Sequence, residues 1–149
     1  MNIKSILVPT DFSGCSGSAL KFALFLTEKF KAEVIVLHVI NRSHIASILR
    51  ISSSSHEEIK KQIWTKHKEE LNHFLAQNAK GKKIKSIICE GIPFQEIAKK
   101  AKELAVDLIV MGGYGRMGQE DLERIFFGST AEKVIRLLPC PVLCVPESI

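Results

Sequence analysis

Residues 33–40 read EVIVLHVI, and this stretch decides the class of fold. Valine and isoleucine dominate it, and it lacks the alternation of apolar and polar side chains that marks a half-exposed strand. Such a run is typical of a parallel sheet in which helices cover both faces. The stretch therefore predicts a central strand of an α/β domain.

Outward from this strand, segments of strand and helix character alternate along the chain. Short apolar runs predict the strands, and apolar residues at helical spacing predict the helices between them. The predicted strands are residues 3–8, 33–40, 84–89, 108–111 and 142–145; the predicted helices are residues 16–30, from after Ser55 to shortly before Gly81, 93–105 and 129–138. The order βαβαβαβαβ predicts a five-stranded parallel sheet, doubly wound and Rossmann-like, because right-handed crossovers place helices on both faces.

The 149 residues have the length of one ordinary domain, so we expect a single domain over residues 1–149. Residues 41–55, NRSHIASILRISSSS, are the one long stretch without a clear period. They exceed most connections in a compact domain. We therefore interpret them as a loop, either mobile or functional.

Composition narrows the classes of function. The formal net charge of +5 comes mainly from lysines that alternate with glutamates, which indicates solvated helix faces rather than a nucleic-acid-binding stripe. No apolar run approaches the roughly 20 residues of a membrane span, and the N-terminus has no signal-peptide pattern. We therefore expect a cytoplasmic protein without membrane or nucleic-acid partners, and its four cysteines are expected to be reduced.

A glycine-rich stretch follows the predicted fourth strand. It reads MGGYGRMG over residues 111–118, and GST follows at residues 128–130. Glycines let the backbone approach an anion closely, and the N–H groups of such a loop and of a helix N-terminus attract phosphate. Alternatively, Gly112 and Gly113 only end the strand, and Ser129 only caps the last helix. Both interpretations can hold together.

Asp11 follows the predicted first strand. In a doubly wound sheet, ligands bind at the carboxyl ends of the strands where the winding reverses. If the first and fourth strands flank that reversal, Asp11 faces residues 111–115 and can accept hydrogen bonds from a ribose hydroxyl or a base amine. Alternatively, it is a turn or capping residue of the first helix, a role that Ser13 or Ser16 could also fill.

The residue pattern does not indicate strong catalysis. The five histidines do not pair with one another or with cysteine at the i, i+3 or i+4 spacing of a helical zinc site. The sequence suggests no serine–histidine–aspartate nucleophile and contains no Walker phosphate-binding motif. We expect binding, or at most slow hydrolysis of a bound nucleotide, with no catalytic residue assigned.

Three parts of the chain carry a family resemblance. They are residues 6–13 (ILVPTDFS) with Ala19 and Leu20, residues 36–40 (VLHVI), and the closing segments 111–116, 128–134 and 140–145. On these segments the chain resembles the universal stress protein family over essentially its whole length. The resemblance implies a fold of the adenine nucleotide alpha hydrolase-like kind.

Nucleotide-binding members of that family carry the motif G-x-x-G, nine residues, then G-[ST]. The resemblance implies that ATP binds between the first strand and this motif. The residues it matches to the motif are Gly112, Gly115, Gly128 and Ser129. Apart from the resemblance, the hydroxyl of the neighbouring Thr130 can add a donor to phosphate. The resemblance also implies that Asp11 approaches the ribose or adenine, that Val39 packs against the base, and that the pocket is lined by Pro9, Thr10 and Met111.

The chain departs from the motif at one place. Residues 116–127 separate Gly115 from Gly128, three residues more than the family spacing, and the surplus falls around residues 119–121. Its effect on phosphate binding is left open. The acidic residues of this segment, Glu120, Asp121 and Glu123, are either magnesium ligands or an acidic helical turn in solvent. They would repel the phosphates of ATP unless a divalent cation or the arginines Arg116 and Arg124 compensate their charge. Mg²⁺ is expected to arrive with ATP, and no metal site built by the protein is predicted.

The last predicted strand, Val142–Val145, would be an apolar edge bounded by prolines. The resemblance implies that it pairs with a second copy to form a homodimer. The leading hypothesis is a dimeric stress-response protein that binds ATP and acts by binding. The alternatives are a member that slowly hydrolyses ATP, and an interaction module in which the surplus residues close the site.

Overall fold

The computed structural model describes residues 2–114 and 127–148. The elements in these ranges are β1 (Ser5–Thr10), α1 (Gly14–Phe30), β2 (Glu33–Asn41), α2 (Arg42–Ile51), α3 (His56–Asn78), β3 (Lys85–Gly91), α4 (Pro93–Glu103), β4 (Leu108–Gly112), α5 (Ser129–Leu137) and β5 (Val142–Val145). Apart from α2, each agrees with its predicted counterpart to within two residues at either end.

The strands form a parallel sheet in the order β3-β2-β1-β4-β5. The chain first builds outward from β1 through β2 to β3, and then crosses back to place β4 on the other side of β1. The winding therefore reverses between β1 and β4. The predicted doubly wound sheet and the predicted place of its reversal are both confirmed.

Two apolar layers cover the two faces of the sheet, because successive side chains of a strand point to opposite sides. Ile6 and Val8 of β1 belong to a buried cluster shared with α1 and α3. Leu7 belongs to a second cluster shared with α4 and α5. In β2 every residue from Val34 to Ile40 is buried, which confirms the central strand predicted from residues 33–40.

The interpretation of residues 41–55 as a loop is wrong for most of that stretch. Residues Arg42–Ile51 form α2, and the Asn41 side chain accepts a hydrogen bond from the Ser43 N–H at its start. Ile45 is the buried residue of this helix. A good N-cap and one buried anchor are enough to stabilise a short helix against its neighbours, although its polar residues hide the helical period.

Of the helices in residues 2–114 and 127–148, none has the length and apolar composition needed to cross a membrane. The four cysteines are free thiols, and burial raises the pKa of Cys89, Cys140 and Cys144. A raised pKa keeps these thiols protonated at neutral pH, and they pack as small apolar side chains.

Candidate nucleotide-binding site

The site begins where β1 and β4 separate. The described β1–β2 pairs continue to Thr10, opposite His38, whereas the β1–β4 pairs extend only to Leu7, opposite Ile109. Pro9 has no N–H to donate to a ladder, which favours separation on one side. The carboxyl ends of these two strands, at the reversal point of the sheet, are where a doubly wound sheet is expected to have its ligand crevice.

The turn after β1 forms one side of the crevice. Thr10 is buried, and its hydroxyl accepts a hydrogen bond from the Phe12 N–H at 3.0 Å and pairs with the Ser16 hydroxyl at 2.8 Å. Asp11 is exposed, and its Oδ1 accepts a hydrogen bond from the Ser13 N–H at 3.1 Å. Asp11 is thus a turn residue. A carboxylate accepts several hydrogen bonds, so this role leaves it chemically able to bind a ligand.

Ser13 caps α1, because its hydroxyl accepts a hydrogen bond from the Ser16 N–H at 3.2 Å. This contact settles which residue caps the helix: the capping role considered for Asp11 and Ser16 belongs to Ser13. The Asp11 turn and the Ser13 cap together give the chain a defined path from β1 into α1.

Two of the residues predicted to line the pocket, Val39 and Met111, are buried apolar side chains. Val39 lies on β2 and Met111 on β4, and both belong to the cluster on the α4 and α5 face of the sheet. Val39 follows His38, which pairs in register with Thr10. The two apolar residues predicted to line a nucleotide pocket thus lie on the same face of the sheet.

Gly112 and Gly113 form the other side of the crevice, at the end of β4. A Cβ on Gly112 would lie 2.8 Å from the Cys15 Sγ and 3.0 Å from the Cys15 carbonyl carbon. Gly112 is therefore required by the packing of α1, whatever its role toward a ligand. A Cβ on Gly113 would meet its nearest atoms only at 3.9 Å.

Helix α5 starts beside these glycines. The Gly128 N–H donates to the Gly113 carbonyl at 2.7 Å, which ties the start of the helix to the end of β4. Gly128 is the N-cap, so the interpretation of Ser129 as the capping residue is wrong. Ser129 and Thr130 lie in the first turn instead. Because glycine has no side chain to cap the helix, the first N–H groups of α5 keep their capacity to bind an anion.

The structure brings most of the predicted site residues to the carboxyl edge of the sheet. They are Pro9, Thr10, Asp11, Val39, Met111, Gly112, Gly128, Ser129 and Thr130. Gly115 and Arg116 lie outside the described residues, as do residues 119–121, Glu123 and Arg124. Within the described ranges, no group of three or more histidine, cysteine, aspartate or glutamate residues is placed to hold a metal ion.

Sequence reasoning missed a pair of histidines behind the Asp11 turn. His38 is 5% exposed; its Nδ1 lies 2.8 Å from the Thr10 carbonyl oxygen, and its Nε2 lies 2.8 Å from Nδ1 of His67 on α3. Burial lowers the pKa of His38. The search for pairs at helical spacing could not find residues 29 positions apart. The available signal was a polar ring inside an apolar strand, which demands a buried partner.

The strand order and the reversal between β1 and β4 define a doubly wound α/β protein. The chain belongs to the family described as the universal stress protein family, whose model matches residues 2–146. It is 37% identical over 145 residues to universal stress protein MJ0531 of Methanocaldococcus jannaschii, an alignment that covers 97% of this chain and 82% of that protein.

Solved structures agree with this membership. The hypothetical protein MJ0577, a universal stress protein of the same organism, superposes with a TM-score of 0.77 at 36% identity, over 98% of this chain and 97% of that one. Two more distant structures share the fold at 23% identity: a universal stress protein in complex with cAMP (TM-score 0.62; 99% of this chain, 100% of that chain) and one from Archaeoglobus fulgidus in complex with dAMP (0.65; 97% and 99%).

Proposed function

We propose that this chain binds an adenine nucleotide, ATP with Mg²⁺, in the crevice between β1 and β4, and acts by binding as a dimeric stress-response module. The observation that carries the proposal is the separation of β1 and β4 beyond Leu7, with Asp11 on one side and the glycine-capped start of α5 on the other. Solved universal stress protein structures in complex with cAMP and with dAMP support it, because both ligands contain an adenine base.

The β1 side of the crevice suits adenosine. The exposed carboxylate of Asp11 is positioned by the Ser13 N–H and can accept hydrogen bonds from ribose hydroxyls or the adenine amine. Beside the Asp11 turn, Val39 of β2 and Met111 of β4 are the apolar residues proposed to contact the base. Pro9 and Thr10 lead into the turn, and the Thr10 hydroxyl accepts a hydrogen bond from the Phe12 N–H across it. We propose that these residues recognise the adenine base, which cAMP and dAMP have in common, together with the sugar that carries it.

The β4 side suits phosphate. Helix α5 presents its N-terminal N–H groups and the positive end of its dipole, and Ser129 and Thr130 add hydroxyl donors. The room beside Gly113 allows a bulky anion to approach the backbone. We propose that Gly112, Gly115, Arg116 and Gly128 complete this phosphate-binding side.

Two substitutions test whether the β1 side binds adenosine and the β4 side binds phosphate. Asp11→Ala is expected to weaken adenosine and Mg-ATP alike, by about tenfold or more, because a hydrogen bond to a charged group is lost. Ser129→Ala is expected to weaken Mg-ATP by about two- to tenfold and to leave adenosine unaffected, because one neutral donor to phosphate is lost. Isothermal titration calorimetry with both ligands measures the two losses.

Ser47→Ala on the exposed face of α2 is the matched control and should bind both ligands like the unaltered protein. Equal losses of adenosine and ATP in Ser129→Ala would contradict the assignment of α5 to phosphate. Denaturing the purified protein and identifying any released nucleotide by mass spectrometry names the ligand. No released nucleotide, together with no thermal stabilisation at millimolar Mg-ATP, would sink the nucleotide proposal and favour an interaction module.

A further inference from the structure

Three aromatic rings, from the turn after β1, from β2 and from α3, form a small cluster behind Asp11. The Phe12 ring stacks on His38 with a centroid distance of 4.1 Å, and the rings of His38 and His67 lie 5.0 Å apart at an angle of 20°. Phe12 has a φ of 67°, a left-handed conformation that is strained for a residue with a bulky side chain. The stack on His38 and the Phe12 N–H bond to Thr10 together hold this conformation.

The two histidines form a hydrogen-bonded chain that ends on the backbone of the turn. The Thr10 carbonyl can only accept, so Nδ1 of His38 carries a hydrogen. Nε2 of neutral His38 then accepts, and Nδ1 of His67 donates to it across 2.8 Å. Only one hydrogen fits between two nitrogens at that distance. The two hydrogen bonds therefore run in one direction: His67 on α3 donates to His38, and His38 donates to the Thr10 carbonyl.

This arrangement tolerates one added proton and not two. One added proton leaves the bond between the two rings in place, because one of the two facing nitrogens still carries a hydrogen and the other still accepts it. The second must enter on Nε2 of His38, where it meets the N–H of His67 head-on. Two protonated rings also repel each other. Double protonation therefore breaks the link between α3 and the turn.

The groups around His38 determine its pKa and therefore the pH at which it gains a proton. Burial is the largest influence and lowers the pKa of His38; the Thr10 carbonyl raises it, His67 lowers it, and the carboxylates of Glu70 on α3 and Asp11 on the turn raise it. Because the net direction is downward, the folded protein keeps His38 neutral at neutral pH. The unfolded chain gains the proton first as pH falls below the ordinary histidine value of 6.5, so stability is fully present above 6.5 and declines below it.

We propose that His38 and His67 are positioning residues that hold the Thr10–Phe12 turn in its ligand-binding geometry, and that double protonation of the pair releases the turn and weakens adenosine binding. The inference rests on the proposed function and adds acid sensitivity to it. Asp11 lies between Thr10 and Phe12, both of which contact His38. A shift of the His38 ring therefore displaces the residue proposed to hold adenosine.

Adenosine is the probe that tests this, because it lacks phosphates that titrate in the same range. Its dissociation constant is measured by calorimetry at about pH 8 and about pH 5, the range in which histidine changes charge. Circular dichroism at each pH establishes that the protein stays folded. The unaltered protein is expected to lose about tenfold in affinity between the two values, the effect of roughly one hydrogen bond to a charged group.

Substitutions of His67 separate positioning from general packing. His67→Ala is expected to weaken adenosine at about pH 8, because His38 loses its donor. His67→Asn restores most of that affinity, because the asparagine amide can donate to neutral His38 and can rotate to accept from protonated His38. Its affinity is expected to vary less than about twofold between the two pH values. His73→Asn, an exposed histidine on the same helix, keeps the full pH dependence.

The outcomes distinguish this inference from the function on which it rests. No adenosine binding to the unaltered protein at about pH 8 contradicts the proposed nucleotide site itself. Binding that is present at that pH but independent of acidification overturns only the histidine proposal. The same holds if His67→Asn keeps the pH profile of the unaltered protein, because the proton would then act elsewhere.

Discussion

Gly112 and Gly113 are adjacent, but only Gly112 lacks the space for a side chain. Gly112 lies against the first turn of α1, where Cys15 donates a hydrogen bond from Sγ to the Val145 carbonyl oxygen. Its missing side chain lets α1 approach β4 and β5 at the edge of the crevice. Gly113 has more room, and its carbonyl accepts the bond from Gly128 that starts α5.

Gly112→Ala is expected to destabilise the protein by about 1–3 kcal/mol, the usual range for overpacking, because the added methyl group meets a backbone atom of Cys15 at 3.0 Å. Urea denaturation followed by circular dichroism measures the change. Gly113→Ala is the control, since its added methyl group meets nothing nearer than 3.9 Å, and should stay within about 0.5 kcal/mol. Equal destabilisation by both substitutions would show that the contact with Cys15 is not the cause.

At the scale of elements, α2 is the helix most easily mistaken for a loop. It is short and mostly polar, and its isoleucines differ in burial: Ile45 is 4% exposed, Ile48 42% and Ile51 87%. Of these three isoleucines, only Ile45 therefore anchors the helix by burial. The helix packs on β2 and α3, next to the element that carries His67.

Ile45→Ala is expected to destabilise the protein by about 2–5 kcal/mol, because a buried isoleucine side chain is removed from a packed contact. Ile48→Ala changes an exposed residue on the same helix and should stay within about 0.5 kcal/mol. Thermal and urea denaturation of both variants give the comparison. If residues 42–51 were a detached loop in solution, the two substitutions would have equally small effects.

At the scale of the whole molecule, the two edges of the sheet differ in their protection. The β3 edge begins with Lys85 and the exposed Ser86, and such polar residues discourage pairing with another strand. The β5 edge reads VLCV without a charged residue, and Leu143 is 36% exposed. An edge of this kind favours a partner strand, which supports the proposed homodimer.

Leu143→Arg is expected to convert a dimer into a monomer, because it places a charge on the apolar strand where a second copy would pair. Size-exclusion chromatography with light scattering gives the mass directly. Ser86→Arg introduces the same side chain on the opposite edge and should leave the dimer intact. An unaltered protein that is monomeric at micromolar concentration would refute pairing through β5.

The structure places most of the residues predicted for the site at one edge of the sheet, and it adds contacts that the sequence did not predict. Asp11 and residues 128–130 could be assigned to one edge because the carboxyl ends of parallel strands meet there. The interpretation of Ser129 as the capping residue of α5 was wrong. Serine is common at that position, but here Gly128 occupies it. The cluster of Phe12, His38 and His67 was missed altogether, because its members come from separate elements.

The sequence by itself determined the strands, most helices and their order, because apolar periodicity and turn residues act over a few neighbouring positions. It also determined the family, whose model matches residues 2–146. Only the tertiary structure decided that α2 is a docked helix, that Gly112 must be small, and that His38 joins His67 to the turn before Asp11. Such contacts join residues distant in sequence, and they exist only after packing has brought the elements together.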